Sequence, residues 1–208
     1  KISHRCGLKT FKFKNKYIKR LLDVTVSLLL SIILAIPMGI VAIIIKLTSK
    51  GPVLFKQTRY GMYSVPFTIY KFRTMRVETP IIANQHFSNM GSYLTPIGKF
   101  LRKSSIDELP QLWNVLKGDM SFVGPRPLAE TDIEVVKLRE KNGANLVRPG
   151  ITGLAQVNGR NNLDNEMKAM YDGVYVQNLS FLNEVKVVLQ TFLSVSLQKG
   201  INHKKTID

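Results

Sequence analysis

The longest feature in the hydrophobic pattern runs from Val24 to Ile45, where 22 consecutive residues carry no charge and Leu, Ile, Val, Ala and Met dominate. That is close to the ~20 residues a helix needs to cross a bilayer. It is too long for a signal-peptide core, and no small-residue cleavage site follows it. Pro37 lies inside the run, where it removes a helical hydrogen bond and favours a kink. Both flanks are basic, Lys12 to Arg20 before and Lys46, Lys50, Lys56 and Arg59 after, so the positive-inside rule orients no crossing. A straight span and a helix that enters, bends near Pro37 and returns are equally compatible with this pattern.

Beyond it the periodicity changes. Pro52 to Lys71 is rich in aromatic and β-branched residues around Gly61, which predicts a β-hairpin. Val77 to Tyr93 reads as a polar loop and Thr95 to Lys103 as a short basic helix. Leu109, Leu112, Trp113 and Leu116 recur at helical spacing and Gly118 closes that helix. Its expected start is Asp107 as N-cap, with Pro110 in the first turn. A polar helix is expected from about Leu128 to Lys141. Leu182 to Lys199 is a helix with a broad apolar face, which suits either a core or a bilayer surface. The tail, Ile201 to Asp208, reads as disordered. The fold class is α+β, mainly helical.

Charge narrows the function. The chain has 30 Lys and Arg against 14 Asp and Glu, a net charge of +16, which calls for a polyanionic partner: nucleic acid, anionic membrane lipids or phosphorylated substrates. Eight basic residues and no acid fall in the first twenty positions. No RNA-binding aromatic motif or helix-turn-helix pattern accompanies the charge, so a membrane-tethered nucleic-acid binder is the lesser reading. The single cysteine, Cys6, excludes a disulfide framework and a cysteine-rich zinc site. His4, His86 and His203 have no metal-ligand spacing.

Against this basic background Asp107-Glu108 stands out, as either helix-capping acids or a working site. Four cationic segments surround it in sequence. Lys71 and Arg73 alternate in Tyr70-Lys71-Phe72-Arg73-Thr74-Met75, a solvated strand face or a phosphate contact. Arg102 belongs to the short basic helix. Arg126 is pinned in Gly124-Pro125-Arg126-Pro127, a rigid frame suited to bidentate recognition of phosphate. Arg148 opens a Gly- and Pro-containing loop to Arg160 that reads as an anion site. That loop has neither the Walker nor the dinucleotide-binding spacing.

These stretches, with Lys19-Arg20-Leu21-Leu22-Asp23, Ser49-Lys50-Gly51-Pro52, Gln57-Thr58-Arg59-Tyr60-Gly61 and Gly118-Asp119-Met120-Ser121, closely resemble the bacterial sugar transferases known as monotopic phosphoglycosyl transferases. The likeness covers nearly the whole chain, to about Gly200, in the form of the family's minimal catalytic unit. It implies a basic N-terminal segment (1–20), a re-entrant membrane helix broken at Pro37 (21–48), a catalytic domain (49–200) and a tail (201–208). Amphipathic interfacial helices would surround an active site on the cytoplasmic face of the bacterial inner membrane. The family often has Ser before the proline. Here it is Ile36, which leaves open how the break is satisfied. The implied reaction moves a phosphosugar from a nucleotide sugar, taken as a UDP-sugar, to polyprenyl (undecaprenyl) phosphate, an early step in surface glycan synthesis. Asp107 would be nucleophile and Mg²⁺ ligand, with Glu108 as base or metal orienter. Lys71, Arg73, Arg102, Arg126 and Arg148 would contact substrate. The sequence leaves the sugar open, and monomer or homodimer as well.

Overall fold

The computed structural model describes residues 13–79, 90–159 and 162–196. Most of the basic N-terminal segment, Cys6, the three histidines, the greater part of the polar loop, Arg160 and the tail lie outside the described residues.

The apolar run forms two helices, α1 (Phe13–Ile33) and α2 (Ala35–Thr48). Among the described residues no single helix is long and apolar enough to cross a membrane. The pair Lys16–Ile33 and Ala35–Thr48 meets the requirement only together, and it is bent by 61°. The break falls at Leu34, three residues before the expected Pro37. The shift follows from proline chemistry. Pro37 has no N–H for the carbonyl of Ile33, one turn back, and its ring crowds that carbonyl. Around the break, Leu34 N–H still donates to Leu30 C=O at 2.9 Å and Met38 N–H to Leu34 C=O at 2.8 Å. The bend is therefore made with neighbouring backbone bonds intact and no side-chain cap.

The hairpin is as expected: β1 (Leu54–Tyr60) pairs antiparallel with β2 (Pro66–Phe72), Leu54 opposite Phe72 and Tyr60 opposite Pro66. Then come α3 (Gly98–Ser104) and α4 (Gln111–Lys117), which closes at Gly118 in the left-handed region, φ 94°. The polar helix begins later than expected, as α5 (Ile133–Asn142) behind a 3₁₀ turn at Glu130–Asp132. Two short strands had no sequence signal. β3 (Ser121–Val123) and β4 (Gly150–Thr152) pair in parallel. A Cβ on Gly150 would lie 2.1 Å from Gly124 N, and one on Gly124 2.4 Å from Arg148 O. The glycines flanking Arg126 and following Arg148 thus let two backbones touch, a packing role for two of the glycines in these stretches. The chain ends with α6 (Leu154–Val157), α7 (Asn165–Gln177) and α8 (Phe181–Ser196).

Core clusters sit on both sides of the catalytic region. Ile45, Phe72 and Leu101 are buried together, with Met38, Val41, Ala42 and Ile106 against them, so one face of α2 is docked on the hairpin and α3. Ile69, Val115 and Met120 join β2 to α4. α1 is attached by polar contacts on one face. Arg20 donates to Val115 O at 2.6 Å and Leu116 O at 2.9 Å, satisfying the C-terminal carbonyls of α4. Asp23 accepts from Phe122 N–H at 3.2 Å, and buried Ser27 donates to Leu112 O at 2.8 Å. The remaining faces of α1, α2 and α8 are apolar and exposed: Leu21, Ile33, Ile36, Leu47, Leu182 and Phe192 are each at least 66% accessible. Trp113, expected to point inward from α4, is 58% accessible instead. The polar Gln111 and Asn114 are buried alongside Leu112 and Val115.

Candidate active site

The chain reaches the two acids by breaking α3 sharply. Ser105 takes a left-handed conformation (φ 59°, ψ 16°), a costly one for a residue with a side chain. Ile106 to Glu108 then form a single 3₁₀ turn. Ile106 is pressed into the Ile45–Phe72–Leu101 cluster, which fixes the turn from below. α4 starts only at Gln111, with Pro110 as its N-cap, so Asp107 caps nothing. The expected start of the helix at Asp107 is corrected accordingly. Burial, and then the adjacent Glu108, push the Asp107 carboxyl up to about 6, against the opposing pull of Lys71, Arg102 and Arg126. Its carboxylate makes no hydrogen bond or ion pair with any described residue.

Glu108 has partners. Lys71, at the end of β2, places Nζ 2.7 Å from Glu108 Oε1, with both side chains largely buried. Arg126 Nη2 lies 3.5 Å from the same oxygen. Burial lowers the Lys71 ammonium from its ordinary range, and Glu108 opposes that. Arg102 reaches from α3, its Nε bonded to Thr74 Oγ1 at 3.0 Å; burial lowers its guanidinium from the ordinary range, and Asp107 opposes that.

Arg126 is held by its backbone. Pro125 C=O accepts from Gly150 N–H at 2.9 Å, and Arg126 C=O accepts from Arg139 Nη1 at 2.8 Å. Arg139 is itself paired with Asp172 of α7, Nη2 to Oδ2 at 2.6 Å, in nearly complete burial.

Two expected contributors are elsewhere. Arg73 is buried, and its guanidinium donates to Lys50 O and, at 2.8 Å, to Ser49 O, closing the end of α2. Arg148 Nε donates to Gly118 O at 2.8 Å, behind α4. Both close helix ends, and neither is paired with Asp107 or Glu108. Conversely, Arg59 was read only as part of a motif and a membrane flank. Burial, and then Arg126, lower it to about 10; Asp132 and Glu108 oppose this, and its Nε is buried without a partner. Lys71, Arg59, Arg102 and Arg126 thus surround Asp107 and Glu108, four cations to two carboxylates. The site is built for an anion carrying more than one charge. Among the described residues no three acidic, His or Cys side chains converge. The adjacent carboxylates suit a hard cation such as Mg²⁺, which takes one or two protein oxygens and completes its shell from phosphate and water.

Comparison with known proteins agrees with this chemistry. A family model described as bacterial sugar transferase matches residues 14–198. The chain belongs to that family. It is 42% identical to the uncharacterized sugar transferase EpsL of Bacillus subtilis (strain 168) over 88% of this chain and 90% of that protein. It is 41% identical to a UDP-glucose:undecaprenyl-phosphate glucose-1-phosphate transferase of Caulobacter vibrioides over 85% of this chain and 69% of that protein. A Klebsiella pneumoniae protein with the same description is 40% identical over 89% of this chain, but the match spans only 42% of its length. As a member of the bacterial sugar transferases, the chain is an enzyme of the phosphoglycosyl transferase type.

Proposed function

We propose that the chain transfers a sugar 1-phosphate from a UDP-sugar to undecaprenyl phosphate, with Asp107 as the phosphoryl acceptor. The observation that carries this is the carboxylate of Asp107, without a hydrogen bond or ion pair to any described residue and under the pull of Lys71, Arg102 and Arg126. Two of the relatives are described as UDP-glucose:undecaprenyl-phosphate glucose-1-phosphate transferases, which supports the substrate classes.

In the first step a carboxylate oxygen of Asp107 attacks the β-phosphorus. The bond from that phosphorus to the oxygen bridging the two phosphates breaks, and UMP leaves with the electron pair. In the second, a phosphate oxygen of undecaprenyl phosphate attacks the same phosphorus. The Asp107 carboxylate departs, giving undecaprenyl diphosphosugar. A Mg²⁺ held by Asp107 and substrate oxygens would neutralise diphosphate charge. Arg126, Arg59 and Arg102 bind the phosphoryl oxygens, while Lys71 holds Glu108 in place beside the nucleophile. A panel of nucleotide sugars assayed for UMP release with undecaprenyl phosphate tests the proposal. No release from any donor, with Mg²⁺ present, would overturn it.

The acid limb of the pH profile is a second check. Because the reactive form of Asp107 is ionised and its carboxyl sits at about 6, kcat/KM falls about tenfold per pH unit below that value. In Glu108→Gln the like charge is gone, so the limb moves to lower pH even as the maximum rate drops. An unshifted limb would show that another group governs it.

The membrane reading is that α1 and α2 form a re-entrant hairpin on the cytoplasmic face of the inner membrane. The 61° break and the exposed apolar faces of α1, α2 and α8 support it, with basic residues such as Lys50 meeting anionic lipids. In Cys6→Ser protein, single cysteines at Lys16 and Lys50, both exposed, should react with an impermeant maleimide from the same side of sealed vesicles. Labelling from opposite sides would mean a crossing.

A further inference from the structure

Beside the carboxylates lies an open cavity of about 200 Å³ whose charged lining is Glu108 and Arg126. Most of the wall is apolar, including Leu30 of α1, Leu109, Leu112, Phe122, Ile151 and Val157, while Thr191 and Ser194 come from α8. Its polar groups differ in what they have left to offer. Thr152 and Thr191 hydroxyls bond each other at 2.6 Å, and Thr191 also donates to Val187 O at 2.7 Å. Gln156, in contrast, has both Nε2 and Oε1 buried with no hydrogen-bond partner among the described residues. A buried amide left wholly unpaired is costly and rare. Room for it is kept by Gly153, where a Cβ would lie 2.6 Å from Gln156 Oε1.

Such a cavity demands a ligand with an anionic head for Arg126 and an apolar remainder for the wall. Leu30 of α1 and Thr191 and Ser194 of α8 line it, and the other faces of both helices are exposed and apolar, so the cavity adjoins the surface that meets lipid. A nucleotide or a sugar offers no comparable apolar part. We infer that this cavity receives the phosphate and first isoprene units of the lipid acceptor, with the Gln156 carboxamide hydrogen-bonding its phosphate. The inference rests on the proposed function and adds the acceptor's place and a binding residue for it.

Gln156→Met tests it, because the replacement keeps the length of the side chain and removes no internal hydrogen bond. The apo protein should melt no lower than the parent, while KM for undecaprenyl phosphate rises about tenfold, as for loss of one hydrogen bond to a charged group. KM for the UDP-sugar should stay within about twofold. Ser194→Phe, which fills the cavity from α8, should raise the acceptor KM as much or more and leave the donor KM alone. A rise in donor KM, or acceptor KM unchanged in both variants, would overturn the assignment. Stabilisation of the parent protein by undecaprenyl phosphate, read as a rise in melting temperature, separates the two levels. A parent that neither uses nor is stabilised by this lipid refutes the proposed function itself. A parent that does, with variants that match it, refutes only the cavity.

Discussion

Asp107→Asn should abolish turnover and at the same time make the protein more stable. The amide cannot attack phosphorus, so UMP release falls by about 10⁴-fold or more, the scale seen when a nucleophile is removed. The stability gain follows from linkage. The folded protein holds this carboxyl at about 6 against an ordinary 3.8, so ionising it opposes folding. Stability is fully present below pH 3.8 and is lost as pH rises through 6, by about 3 kcal/mol at pH 7. Asparagine does not ionise. The variant should therefore gain up to that amount at neutral pH and nothing below pH 4. Denaturant midpoints at pH 4 and pH 7.5 measure it. Equal gains at both values would trace the effect to packing rather than charge, and unchanged UMP release would remove Asp107 as nucleophile.

Asp172→Ala should be the most damaging change far from the chemistry. Its carboxylate is the partner of Arg139, Nε at 2.8 Å and Nη2 at 2.6 Å, with side chains 9% and 1% accessible. Deleting one member of such a pair leaves an uncompensated buried charge, at about 3–5 kcal/mol. For a chain of this size that is a fall in melting temperature of about 10 °C. Arg139 also holds the carbonyl of Arg126, so the guanidinium facing Glu108 should drift and kcat/KM fall by about 10²-fold, as for a small misplacement of a positioning group. The double change Arg139→Met/Asp172→Leu separates these effects. Apolar residues of similar size should restore most of the stability, but no donor remains for Arg126 C=O, so activity should stay low. Recovery of both would mean that the pair acts only through stability.

What could be read in the chain depended on how local the determining contacts were. The hairpin was legible because aromatic and β-branched residues flank a glycine turn within nineteen positions. Asp107 and Glu108 were legible as a pair, but their turn was not. The start of α4 depends on Ser105 entering the left-handed region, and nothing in its side chain announces that. α7 escaped notice because the residues it buries are Ala169, Asp172, Gly173 and Tyr175, which leave no apolar stripe. The pairing of β3 with β4 joins short segments far apart in the chain through glycines that permit contact. The arginines were hardest to sort. Arg73 and Arg148 cap carbonyls, Arg126 and Arg59 face the acids, and only the fold separates the groups.

The 61° bend between α1 and α2 has a further meaning for how much of the bilayer the enzyme uses. If both arms leave from the same side, as proposed, each slopes at roughly 30° to the membrane plane. α2, with 14 residues, is about 21 Å long, so its descent is about 10 Å. The hydrocarbon of one leaflet is about 15 Å deep. The elbow at Leu34 therefore stops short of the midplane, and the opposite leaflet is never touched. Hydrophobic mismatch, which sorts spanning helices among membranes of different thickness, would have no purchase on this protein. Its depth would be set instead by Arg20, Asp23 and Ser27, which tie α1 to α4 and to Phe122 in β3.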